Sequence, residues 1–135
     1  MLKNTLVAVT ALAPILIAAL IPAAASPDRG LSYAEDVEAL VVKRCAGCHN
    51  SEDPKAQLLL ERGVGFDQLV GRASIQAPGT QLVMPSSPSE SYLWHKLDFT
   101  AEVGKGMPRT LFGARRLPDE ELEIIRRWIE DGALP

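Results

Sequence analysis

The stretch "LSYAEDVEALVVKRCAGCHN", Leu31 to Asn50, holds both cysteines of the chain and one of its two histidines. Ser32 and Glu35 stand in S-x-x-E spacing, a capping box in which each side chain can satisfy the other residue's free backbone N–H. Val37, Val41, Cys45 and Cys48 follow at spacings of four, four and three, one face of a helix. The pattern predicts a helix that starts at Ser32 and runs into the cysteine pair. Neighbours on a helix lie three and four residues apart, so Cys45, Cys48 and His49 are expected on one side of it.

Beyond Asn50, a polar loop leads to a short helix expected around Phe66 to Val70. Gly63, Gly65 and Gly71 do not match G-x-G-x-x-G and read as turns. A loop rich in Pro, Ser and Gly runs from Ala77 to Pro88. Ser87, Pro88 and Glu90 then repeat the S-x-x-E signature with proline in first position, and Leu93 and Leu97 mark the buried face of the helix they open. In "DFTAEVGKGMPRTLFGARR" the residues Gly104, Gly106 and Pro108 exclude regular structure. The last helix opens at Pro118 with three acidic residues suited to its positive end. It buries Leu122, Ile124, Ile125, Trp128 and Ile129, and stops at Gly132. No segment alternates as a strand, so the expected fold class is all-α with long loops.

Upstream of the motif, Lys3 is followed by residues free of charge from Asn4 to Pro27. One positive residue, a long apolar run and Ala23-Ala24-Ala25 before Ser26 have the layout of a secretory signal peptide over residues 1–25. The alternative is an uncleaved anchor, because about 20 apolar residues span a bilayer. Either way residues 26–135 form one domain outside the cytoplasm, and a periplasmic location is expected. The chain has 14 basic and 17 acidic residues, formal charge −3. That balance excludes a nucleic-acid partner, which needs clustered Lys and Arg. Aromatic residues are only 5%, so a core this small would gain from a large apolar prosthetic group.

Three chemistries suit "CAGCH". Two thiols on one side of a helix can form thioethers to the two vinyl groups of one haem, with the next imidazole beneath the iron. C-x-x-C-H is the attachment signature of c-type haem, and its histidine is the proximal ligand. A thioredoxin-like switch uses C-x-x-C in a βαβ setting, whereas a capped helix precedes Cys45. Zinc would take Cys45, Cys48, His49 and His95, but structural zinc sites pair separated ligand clusters and the two histidines form none. A second axial ligand would be Met107, Met84 or His95, in that order of preference. Met107 lies in the polar, glycine-rich "GKGMPR" with little core to fill; the glycines let backbone approach a flat ring, and Pro108 stiffens the sulfur's position. Met84 sits in a similar "VMPSS", and His95 falls off the face of Leu93 and Leu97.

From Tyr33 to Leu134 the sequence resembles the small single-haem cytochrome c domains of bacteria, a family patterned as C-x-x-C-H, P-x-x-S-x-L, G-x-x-M-P and W-I-x-x-G-A. Those elements stand here as "CAGCH", "PSESYL", "GKGMP" and "WIEDGA". The resemblance implies one haem c, thioether links at Cys45 and Cys48, proximal His49 and distal Met107. It also implies a cytochrome c-like arrangement in which the first and last helices cross, with short middle helices around the haem. One departure is "LVMPSS", where members usually carry a Val-x-Pro-Gly-like stretch; it brings Met84 in as runner-up.

Iron closed on both sides by His and Met exchanges one electron and little else. The expected function is therefore an electron carrier outside the cytoplasm, not an enzyme, that meets redox proteins transiently. Its acidic balance favours partners with basic patches, through contacts that weaken with salt. Membrane contact is expected only if the N-terminal segment is retained. Arg109, Arg115 and Arg116 are candidates to pair with haem propionates. The alternatives are a haem sensor or enzyme in which Met107 dissociates, and a zinc-stabilised binding module.

Overall fold

A computed structural model describes residues 29–135, so the signal-peptide or anchor segment lies outside the described residues. The N-terminal helix is divided. Tyr33–Val37 forms a π-helical turn that passes directly into helix α1, Glu38–Cys45. Ser32 Oγ accepts the Glu35 N–H at 3.3 Å, as a capping box requires. The return bond is made by Asp36, not Glu35: Asp36 Oδ2 accepts the Ser32 N–H at 2.8 Å, while Glu35 pairs with Arg29. Val37 and Val41 are buried, as their spacing predicts.

The middle of the chain contains two short helices, α2 (Gly65–Leu69) and α3 (Tyr92–Asp98). The second S-x-x-E signature does not open α3: Ser87 makes no side-chain cap, and Pro88–Glu90 forms a single 3₁₀ turn. Ser91 stands at the N-terminus instead, fully buried, with its Oγ accepting the Met84 N–H at 2.9 Å. The last helix, α4 (Asp119–Glu130), buries Leu122, Ile125, Trp128 and Ile129. Gly132, at φ +104°, follows it.

The all-α expectation is corrected. The described fold is mixed, 40% helical with a small antiparallel sheet. Strand β1 (Arg109–Thr110) pairs with β2 (Gly113–Ala114) directly after Pro108, in the loop whose glycines and proline predict no regular structure. Leu111 and Phe112 form the turn, and Gly113 adopts φ +119°. Thr110 Oγ1 accepts the Phe112 N–H and bonds the Gly113 carbonyl, closing the hairpin locally. Isolated bridges join Val70 to Val83, Ala73 to Gln81, Gln81 to Ser91, and Ser32 to Leu134. Pairings of one or two residues have no alternation for a sequence pattern to show.

The core joins residues 33–41 and α4 with Leu60, Leu69, Val83 and Leu97 from the middle of the chain. Trp128 is fully buried with its ring centroid 5.5 Å from that of Tyr33, which also meets Phe66 at 5.8 Å. The indole N–H donates to the Leu134 carbonyl at 2.8 Å, which satisfies the one polar group of this buried core residue. The Tyr33 N–H donates to the same carbonyl at 2.8 Å, tying the π turn to the C-terminal segment. Among the described residues no helix is long and apolar enough to cross a membrane.

Candidate haem site

α1 ends at Cys45, so only the first cysteine of the motif is helical. Cys48 and His49 lie on the turn beyond it, which the Cys48 and His49 N–H groups close by bonding the Cys45 carbonyl at 3.1 and 3.0 Å. Asn50 pins that turn from below. Its side-chain N–H bonds the Ala46 carbonyl at 3.1 Å, and its Oδ1 accepts the Glu52 and Asp53 N–H groups at 3.1 and 3.0 Å. Such Asx bonding is why asparagine favours turns, and it was a legible signal that the sequence reading did not use.

The turn opens onto a cavity of about 730 Å³. Cys45, Cys48, His49 and Met107 all line it, together with a wall of Leu58, Leu60, Leu69, Leu82, Leu93 and Leu97. Thus the CAGCH turn and the GKGMP loop, some sixty residues apart in sequence, meet at one site. Met84 and His95 are not part of its lining. The two ring nitrogens of His95 are engaged, Nδ1 by Thr100 Oγ1 at 2.8 Å and Nε2 by the Ser89 carbonyl at 2.9 Å.

His49 Nδ1 lies 2.9 Å from the Lys55 carbonyl. A carbonyl only accepts, so Nδ1 carries the proton, and on the neutral ring Nε2 keeps its lone pair. Burial lowers the pKa of the imidazole, which favours that neutral form. Burial also pushes the Cys45 thiol up to about 12, with the nearby Cys48 adding to the shift. A thiol held protonated in this way is a poor attacking group for disulfide exchange.

The site is matched to haem on three observations. Its volume lies in the range of small-molecule and cofactor pockets, its wall is mostly apolar, and its lining includes two cysteines, a histidine and a methionine. Zinc is matched less well. Among the described residues no three His, Cys, Asp or Glu side chains converge as a metal cluster.

A second, more polar cavity of about 500 Å³ adjoins the first, sharing Arg44, Pro108, Arg109 and Thr110 with it. Lys43, Arg44, Arg109, Arg115 and Arg116 all line it. Arg116 is committed to Asp98 and Asp119, and Arg44 to Glu121. Arg109, which lines both cavities, has no ion-pair partner among the described residues. Arg109 and Arg115 are therefore the two lining cations of this second cavity without an ion-pair partner among the described residues.

No family model, curated protein or solved structure matches this chain. The functional reading therefore stands on the site itself. Two lining residues, Lys96 and Arg72, were not singled out from sequence. Arg72 donates to the Gln57 carbonyl at 2.9 Å and to the Gln68 side chain, tying the segment before α2 to that helix.

Proposed function

We propose that this protein is a one-electron carrier working outside the cytoplasm, with one haem c bound covalently through Cys45 and Cys48 and ligated by His49 and Met107. The observation that carries the reading is that all four residues line one apolar-walled cavity. When bound, the haem supplies a one-electron redox couple.

The chain's own residues do the rest. The Lys55 carbonyl fixes the tautomer and orientation of His49, as partners behind a metal-binding histidine do. The leucine wall excludes water, and Met107 brings a thioether, which favours the reduced state more than a second imidazole would. Both nitrogens of His95 are occupied and Met84 is elsewhere, which supports Met107 in the distal role. Arg109 at the shared rim is the best-placed cation for a propionate. Partners are expected to be redox proteins that bind briefly, and membrane contact depends on whether residues 1–25 are retained.

Absorption spectra of protein made in a host with c-type maturation machinery, before and after acid–acetone extraction, test this. Colour that stays with the polypeptide and a weak far-red band in the oxidised protein are expected. Met107→Ala is expected to abolish that band, and Met84→Ala to keep it. A colourless product, or colour that extracts into acetone, overturns the reading.

A further inference from the structure

Lys96 lies on α3, between Leu93 and Leu97, and is only 6% exposed. It lines the cavity, where a leucine or methionine would be buried without the cost of desolvating a charge. Among the described residues no carboxylate pairs with it. Its ammonium donates to two backbone carbonyls, Val103 and Lys105, each at 3.1 Å. Its own carbonyl accepts the Met107 N–H at 2.8 Å. One residue thus makes three hydrogen bonds to the segment 103–107.

The surroundings are built around that ammonium. It sits 4.9 Å from the centroid of the Tyr92 ring, within cation–π range. The Tyr92 hydroxyl donates to the Val103 carbonyl at 2.7 Å and lies 2.8 Å from Gln76 Oε1. Gly104 has φ +75°, and a Cβ there would collide with Lys96 Nζ and the Gln76 side chain. The glycine is required for the loop to close over the lysine.

We infer that Lys96 is the positioning residue for the distal sulfur: it clamps the 103–107 loop to α3 and so holds Met107 at the cavity. The inference rests on the haem reading above. An incoming ligand must lift Met107 and its loop away, so the clamp opposes displacement.

The test uses holoprotein with imidazole as the competing ligand. Lys96→Met keeps a long apolar stem and removes the donors. Its ferric form is expected to bind imidazole about tenfold to hundredfold more tightly than wild type. It should show a weakened far-red band, faster amide exchange at Met107, and unchanged covalent haem content. A folded Lys96→Met protein with wild-type band and wild-type imidazole affinity overturns the clamp. Should Lys96→Met not fold, Tyr92→Phe decides, since it removes one donor to the Val103 carbonyl: about a threefold rise in affinity supports the clamp, and no change overturns it. If wild-type protein itself lacks covalent haem or the far-red band, the haem reading fails and the clamp with it.

Discussion

Gly65 and Tyr33 are joined by a contact that a single methyl group would break. A Cβ at Gly65 would overlap the Tyr33 hydroxyl, which is buried and has no hydrogen-bond partner among the described residues. Gly65→Ala is therefore expected to cost about 1–3 kcal/mol through overpacking. Tyr33→Phe removes an unsatisfied hydroxyl and should be neutral or stabilising by about 1 kcal/mol. In the Tyr33→Phe background the cost of Gly65→Ala should largely disappear, which urea unfolding of the four proteins measures. An equal cost in both backgrounds would refute the steric account. At this scale the sequence shows most where chemistry is local. Cys45, Cys48 and His49 are readable because their spacing is itself the signal. Lys96 is not, because a lysine on a short amphipathic helix reads as solvent-facing until a later loop covers it. The glycines before Met107 suggest backbone that approaches a flat cofactor ring; the neighbours the structure gives them are side chains, Lys96 at Gly104 and the Phe99 ring at Gly106.

Between elements, the strongest polar link joins the end of α1 to the start of α4. Arg44 donates to both carboxylate oxygens of Glu121, at 2.8 and 2.6 Å, and Lys43 lies 3.6 Å away. The Arg44 hydrogen bond is the main cause that holds the Glu121 carboxyl below its ordinary value of 4.5. A carboxylate depressed in the folded state contributes stability above its unfolded pKa and loses it as pH falls through the folded value. The melting temperature should therefore fall as pH drops from about 5 toward 3. Glu121→Gln should lower it at neutral pH and flatten that part of the profile. A variant with the same acid slope as wild type would show that the pair contributes nothing. α4 was legible end to end, since its apolar stripe and acidic first turn are properties of one continuous segment. The start of α3 was not, because Ser91 earns its place at the helix terminus from the distant Met84 backbone, whereas Ser87 only carried the local signature.

At the scale of all the described residues, helices supply most of the core, while Leu60, Val83, Leu117 and Ala133 join it from segments outside any helix and short strand pairings escape periodicity. That is why an all-α reading failed at residues 109–114 while the buried Val37 and Val41 and the buried stripe of α4 were legible. Net charge was similarly uninformative about the site, because five basic side chains gather beside the cavity in a chain of formal charge −3. The cavity also sets the final prediction. Three leucines of its wall, Leu60, Leu69 and Leu97, belong to the same buried cluster as Val41 and Trp128, so whatever fills the cavity also completes the packing. Cys45→Ala combined with Cys48→Ala removes both proposed attachment points while leaving the wall intact. The double variant should be colourless after extraction and melt at least about 10 °C lower, equivalent to about 2 kcal/mol for a domain of this size. It should also bind a hydrophobic dye that wild type does not, since water-exposed leucines would line an open site. Scanning calorimetry and dye fluorescence on the two purified proteins measure this. A red double variant with the wild-type melting temperature would mean that Cys45 and Cys48 attach nothing and that packing does not depend on them.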